Sequence, residues 1–207
     1  MVEAHRGAGQ DRAVVVPVPR GLLLVVADGA GGIAGGAEAA QMVVESIRAA
    51  KPRTSAACVD VLKTMDHRVA AHTTAGETTA VVATIAGTTL AGASVGDSVA
   101  WVLLSDEIVE LTAQQVRKPL IGSGRAEVVP FEATLESGTL LLATDGLHRY
   151  AQRDAIRRIS RGSNVDSATR NLVELVRLRS GDLQDDIAVI LFRLADARRE
   201  DTSEHPS

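Results

Sequence analysis

Four aspartates stand where the hydrophobic pattern of the chain changes: Asp28, Asp97 and Asp145 directly after apolar, strand-like segments, and Asp185 directly before one. The clearest cases are 22-LLLVVADGAGG-32 and 139-TLLLATDG-146, each an apolar run ending on Asp-Gly. In antiparallel neighbours the end of one strand lies beside the start of the next, so these carboxylates can share one rim. Carboxylates gathered without compensation repel one another and raise each other's pKa, and a multivalent cation relieves that repulsion. A set of carboxylate and carbonyl oxygens, with no Cys or His at ligand spacing, suits Mg²⁺ or Mn²⁺ and argues against zinc. The five histidines are scattered and read as surface or packing residues.

Each Asp-Gly taken singly is also a good turn. Turns alone do not require the pair after two separate, deeply apolar strands, and that favours a shared rim. Gly29, Gly31 and Gly35 form a G-x-G-x-x-x-G spacing that faintly evokes a dinucleotide site. No strand ending in an acid follows about 20 residues later, as a ribose contact would need, and no Gly-Lys-Ser/Thr cradle is present.

The elements that must position these residues follow from periodicity. A strand at 22–27 leads to a helical pattern at 37–50, closed by Lys51-Pro52, and to a second at 55–72. A small polar loop, 73–79, precedes short β-branched segments at 80–87, 88–96 and 98–105, which predict an antiparallel meander. A short strand is expected at 108–111. The stretch 112–138 is expected to be mostly loop, with one strand near 127–131. A strand at 139–144, helices at 154–160 and 167–179 and a final strand at 186–194 complete the pattern. The class is α+β, a layered sandwich in which helices cover sheets that face each other. One domain, 1–194, is expected, followed by a polar, disordered tail, 195–207.

Composition narrows the function. Only 2% of residues are aromatic, so base-stacking platforms are not available, and the formal charge of −4 opposes binding to nucleic acid. Arginines do gather in 153-RDAIRRISR-161, which reads as a solvated helix face. Met1 to Gln10 is polar and no apolar run approaches the roughly 20 residues of a membrane span. The expected location is therefore the cytoplasm, with no membrane partner. The lone Cys58 is expected to be a buried thiol.

In order along the chain, six segments resemble the motifs of the metal-dependent type 2C protein serine/threonine phosphatases, the PPM family. 6-RGAGQD-11 is similar to R-x-x-N-E/Q-D, and 28-DGAGG-32 with Gly35-Gly36 to D-G-M/H-G-G-x-x-x-G. 76-GETTAVVATI-85 resembles G-S/C-T-A, 95-VGDSVAWVL-103 resembles V-G-D-S-R-x-Y-L, 143-ATDGL-147 resembles S-D-G-L, and 185-DDIAVILF-192 resembles D-N-x-T-V-x-x-V. The resemblance implies a four-layer α-β-β-α sandwich with two mostly antiparallel sheets and helix pairs outside. It implies two Mg²⁺ or Mn²⁺ ions bridged by Asp28, with the Gly29 carbonyl on one of them, Asp145 and Asp185 completing the first ion's shell, and Asp11 on metal-bound water or a metal edge. Arg6 would bind the phosphate, and Asp97 with Asp145 would hold a third, weaker ion. The implied glycine role is to keep side chains out of the space used by metals, water and phosphate.

The departures from the family carry their own expectations. Ala30 stands where animal members have a proton-donating His, so solvent would supply that proton. Gln10 replaces the usual Glu, with a modest effect on the second ion. Val99 replaces the Arg of G-D-S-R and is expected to alter surface packing, whereas Asp186 replaces Asn and adds charge near the ions. Thr112 to Gly138 must serve for the family's longer flap, which implies a more open cleft. The implied function is hydrolysis of phosphoserine or phosphothreonine in a protein substrate, paired with a cognate kinase pathway. The alternative is a catalytically weak phosphatase-like module that binds phosphoproteins.

Overall fold

The structure, a computed structural model, describes residues 1–5, 7, 9–30 and 35–194. Its twelve strands are β1 (Val2–Glu3), β2 (Arg12–Val18), β3 (Gly21–Ala27), β4 (Gly29–Ala30), β5 (Glu77–Thr78), β6 (Ala80–Ala86), β7 (Thr89–Val95), β8 (Val99–Leu103), β9 (Ile108–Glu110), β10 (Val129–Thr134), β11 (Thr139–Ala143) and β12 (Ile187–Phe192). Its helices are α1 (Gly36–Ala50), α2 (Ser55–Ala70), α3 (Asp145–His148), α4 (Arg153–Ser160) and α5 (Val165–Leu175). Two five-stranded antiparallel sheets result, one in the order β10-β7-β6-β3-β2 and the other β1-β12-β11-β8-β9, with β4 and β5 as a separate pair.

The layers follow from strands that are apolar on both faces. In β3, Leu23 and Val25 pack with Val43, Ile47, Leu62 and Met65 of α1 and α2, while Leu24 and Val26 join Leu140, Leu142 and Ile190 between the sheets. On the far side Trp101, Leu141 and Val189 meet Ile156 of α4 and Leu172 of α5. Three stacked cores separate four layers, so the fold is the α-β-β-α sandwich. A strand buried on both faces cannot alternate polar and apolar residues, which explains the unbroken run at 22–27.

Most expected elements are present with shifted ends. Helix α2 stops at Ala70 instead of 72, and α5 runs from 165 to 175 instead of 167 to 179, because the Asn164 side chain accepts the Ser167 N–H at 2.8 Å and starts the helix early. Besides the short β4–β5 pair, three features are additions. Strand β2 pairs along β3 from Arg12↔Ala27 to Val18↔Gly21; it is a sheet edge, with Pro17 inside it and Val15 exposed, so its pattern is weak. The second addition, β1, has only two residues, too short to show a period. The third is α3, which begins on Asp145 itself, so this acid opens a helical turn instead of a loop.

Residues 112–128 have their own organiser. Asp66 of α2, 3% exposed, accepts the N–H groups of Gly122 and Gly124 on Oδ1 (2.8 and 2.9 Å) and of Ala126 on Oδ2 (2.8 Å). Ile121 then bridges to Thr78, exchanging both backbone hydrogen bonds with it at 2.9 and 3.1 Å. Cys58 is buried as expected, and burial pushes its thiol up to about 12. The 195–207 tail lies outside the described residues, as do Arg6, Gly31 and Gly32.

Candidate metal centre

One rim of the sandwich collects the acidic residues. Asp28 leaves β3, Asp97 lies in the turn between β7 and β8, Asp145 follows β11, and Asp185 precedes β12. Carboxylate oxygens of Asp28, Asp97 and Asp145 lie within 4.8 Å of one another. Asp11, ahead of β2 and 2% exposed, is in hydrogen-bonding reach of Asp28, and Asp185 is close enough to act on the charge of both Asp28 and Asp145.

Hydroxyl groups set the geometry of this rim. Thr78 Oγ1 donates to the Asp28 carbonyl at 2.8 Å, Thr79 N–H donates to the same oxygen at 2.8 Å, and the Asp28 N–H donates to Thr79 Oγ1 at 3.0 Å. Thr79 Oγ1 in turn meets Ser98 Oγ at 2.7 Å, which links the Asp28 turn to the Asp97 turn. Across the rim Thr144 Oγ1 donates to Asp11 Oδ2 at 2.6 Å and accepts the Ala188 N–H at 2.8 Å. One hydroxyl thus joins the acid before β2 to the strands that carry Asp145 and Asp185.

Two glycines are required by close backbone approach. A Cβ on Gly29 would lie 2.4 Å from the carbonyl carbon and oxygen of Gly36, and one on Gly146 would lie 1.9 Å from the Asp186 carbonyl oxygen. Both positions exclude any side chain. At Gly29 the reserved space is filled by the start of α1.

Burial and mutual repulsion raise the pKa values of these acids. Asp28 is pushed up to about 9, chiefly by desolvation and then by the charges of Asp11 and Asp145. Desolvation also raises Asp11, to about 7, against the opposing hydrogen bond from Thr144. Asp145 is raised for the same leading reason, with Asp97 and Asp185 adding to it. Bound cations would remove this cost, and the donor set is all oxygen, as Mg²⁺ and Mn²⁺ prefer. The residues present therefore fit the implied ions.

The mouth of the site carries both signs of charge. An open cleft of about 250 Å³ is lined by Asp97, Arg117, Asp145, His148 and Arg149. Arg117 Nε donates to Asp97 Oδ2 at 2.8 Å, Arg149 Nη1 to Asp145 Oδ2 at 3.3 Å, and His148 Nε2 to the Asp97 carbonyl at 2.9 Å. None of these three was singled out from sequence. His148 and Arg149 follow directly after the 143-ATDGL-147 motif and were within reach of it, whereas Arg117 lies in an irregular loop 20 residues from its partner, without a local signal.

Two substitutions read differently in three dimensions. Val99 is 9% exposed, opposite Ala143 in the sheet and inside the core beneath α4 and α5, so it repacks the interior and not the surface. Asp186 does add charge that raises Asp11, but it is also a clasp. Its Oδ1 accepts the His5 N–H at 2.7 Å and its Oδ2 accepts the Gln10 N–H at 2.5 Å, holding the backbone of His5 and of Gln10, next to Asp11. Arg6 itself lies outside the described residues.

A family model described as stage II sporulation protein E (SpoIIE) matches residues 19–195, and the chain belongs to that family, in accord with its resemblance to the PPM phosphatases. Solved structures with the same fold include a serine/threonine phosphatase from Staphylococcus aureus, 20% identical, TM-score 0.79, covering 94% of this chain and 93% of that one. A Pseudomonas aeruginosa protein described as a key regulatory component of T6SS, PppA, is 21% identical with a TM-score of 0.77, over 94% of this chain and 96% of its own. The catalytic domain of the serine threonine protein phosphatase PstP, solved with two manganese ions, is 22% identical with a TM-score of 0.74, over 92% and 94%. No curated protein matches the sequence.

Proposed function

We propose that the chain is a metal-dependent protein serine/threonine phosphatase that hydrolyses phosphoserine or phosphothreonine. The observation that carries this reading is the meeting of Asp28, Asp97 and Asp145 on one rim, within 4.8 Å, in a family and fold shared with such phosphatases. Asp28, Asp145, Asp185, the Gly29 carbonyl and Asp11 would hold two Mg²⁺ or Mn²⁺ ions. Bound there, the ions supply Lewis-acid stabilisation of charge on the phosphoryl oxygens and a nucleophile acidified to near neutral pH.

The chain's own residues do the rest. Thr144 fixes Asp11 through its hydroxyl, and Thr78 and Thr79 hold the Asp28 turn. Arg6 would grip the phosphoryl group by a bidentate interaction. Ala30 offers no acid, so the leaving alcohol takes its proton from solvent. Residues 1–194 would act as one catalytic unit on a phosphorylated protein, paired with a kinase, in the cytoplasm. No helix of the described residues is long and apolar enough to cross a membrane. The alternative of a catalytically weak binding module gains no support from the rim, where the acids expected from sequence at 11, 28, 97 and 145 are all present.

The test is hydrolysis of a phosphothreonine peptide and of p-nitrophenyl phosphate in EDTA, Mg²⁺ or Mn²⁺, with wild type beside Asp145→Asn. Metal-dependent turnover lost in the variant is the expected result. Turnover that survives EDTA, or that Asp145→Asn leaves intact, would overturn the reading.

A further inference from the structure

The second sheet has another charged end, which the proposed phosphatase chemistry does not use. Strand β8 begins beside Asp97 at the acidic rim and ends at Leu103, so Ser105, just past it, lies at the opposite edge of the sheet. There a concavity of about 560 Å³ is lined by Ser105, Gln152, Asp154, Arg157, Arg158 and Arg161. Arg153, Arg157 and Arg161 recur every four residues along α4 and just past its end, which places them on one face.

The compensation of these cations falls off along that face. Arg153 is paired with Glu110 and lies over the Trp101 ring, 5.1 Å from its centroid. Arg157, its side chain 22% exposed, pairs with Asp154 at 3.1 Å and also donates to the Ser105 carbonyl at 2.5 Å. Arg161 donates to that same carbonyl oxygen at 3.2 Å and, like Arg157, is within electrostatic reach of Asp106, but it has no carboxylate in salt-bridge contact among the described residues. Arg158 has no hydrogen-bond or ion-pair partner among them. Two guanidinium groups are thus drawn to one neutral oxygen beside a third with spare donors, in a concave site on a chain whose net charge is −4.

Convergent guanidinium groups with unused N–H donors are the chemistry of carboxylate and phosphate recognition, where planar bidentate pairing adds to charge. We propose that this pocket is a docking site for an acidic peptide segment of a partner protein, outside the metal centre and separate from phosphate hydrolysis. The choice of a peptide rests on charge and shape. The pocket is local and concave, and the net negative charge of the chain opposes a long polyanion. The patch therefore does more than solvate a helix face, the reading its sequence first invites.

The test is fluorescence anisotropy of a fluorescein-labelled hexaglutamate peptide on the full chain in Mn²⁺, at low and at physiological salt. Arg158→Glu and Arg161→Glu are each expected to weaken binding about tenfold, and Arg158→Gln less, because a charge reversal adds repulsion to the lost contact. Arg170→Glu on α5, outside the pocket, is the control and should change it less than twofold. Arg158→Glu should leave the p-nitrophenyl phosphate kcat/KM within twofold of wild type. Arg158 makes no hydrogen bond or ion pair among the described residues, so its replacement breaks none. No binding by wild type, equal losses in the Arg170→Glu control, or competitive inhibition of p-nitrophenyl phosphate hydrolysis by the peptide would overturn the proposal. Tighter, equally arginine-dependent binding of a hexanucleotide would also overturn it. Because binding is read directly, an inactive wild type that still holds the peptide would sink the phosphatase reading and leave the docking site standing.

Discussion

Two buried carboxylates show how differently this fold treats the same group. Asp66 and Asp11 are 3% and 2% exposed, yet Asp66 faces three backbone N–H donors of the 122–126 turn, whereas Asp11 faces Thr144 on one side and other carboxylates on the other. One is a structural staple whose negative charge is satisfied inside the protein. The other belongs to a rim whose charge needs something from outside. Burial alone therefore does not mark a functional acid; what matters is whether the chain supplies the donors. Where gathered acids such as Asp28 and Asp11 share too few donors, the folded protein carries a standing electrostatic cost that a cation can remove.

The largest expected effect follows from removing that cost together with its purpose. Asp28→Asn should lower metal-dependent hydrolysis by about a hundredfold or more, yet raise the melting temperature in EDTA, since a repelled carboxylate is gone. Activity lost with no gain in metal-free stability would break the contrast between rim and staple.

The second prediction concerns pH. Asp28 and Asp11 have folded-state pKa values raised to about 9 and about 7, above the 3.8 of a free aspartate, so the metal-free folded chain binds more protons than the unfolded chain between those limits. Their contribution to stability is therefore least unfavourable below about pH 4 and worsens as pH rises towards about 9. Thermal melts in EDTA at stepped pH should show this loss, and saturating Mn²⁺ should flatten or reverse it. A metal-free melt that is independent of pH from 5 to 9 would contradict the picture.

Asp66→Ala should act in the opposite sense to Asp28→Asn, destabilising the protein by about 3 kcal/mol because three N–H donors lose a charged acceptor, as measured by urea denaturation. A smaller change is expected for Asp186→Asn. It leaves one acceptor for two N–H groups and should cost about 1 kcal/mol, with amide exchange of His5 and Gln10 faster than in wild type. Unchanged exchange at both residues would show that Asp186 is not a clasp.

The smallest effect is at the mouth. The Asp97–Arg117 pair is an exposed one, with the Arg117 side chain 68% exposed, and such pairs contribute about 0.2–1 kcal/mol. Arg117→Ala should therefore tighten Mn²⁺ binding only about threefold, by freeing Asp97 for an ion, as read by calorimetry. An unchanged titration would mean that Asp97 takes no part in holding metal.

Much of the fold was legible because both sheets are covered on both sides. Segments such as 22–27, 80–86 and 139–143 had to be apolar throughout, and α1 and α2 had to show a helical period against them. The acids at 28, 97, 145 and 185 were legible for a related reason, since a charge placed at the end of so apolar a strand interrupts a pattern that burial would otherwise extend. Edge strand β2 escaped notice because one side of it meets solvent and Pro17 interrupts it. Arg117 and Asp66 escaped because their partners lie 20 and more than 50 residues away in irregular segments, where no period exists to be read.

The sequence by itself determined the strands and helices that build the layers, the all-oxygen character of the donor set and the order of the motifs along the chain, because periodicity and residue type are local properties. Only the tertiary structure decided that the acids share a rim, that Thr144 and Asp186 fix Asp11 and the segment before it, and that α4 holds its arginines around a pocket at the other end of the sheet. Those are distances between residues far apart in the chain, and they exist only once three apolar cores have been closed.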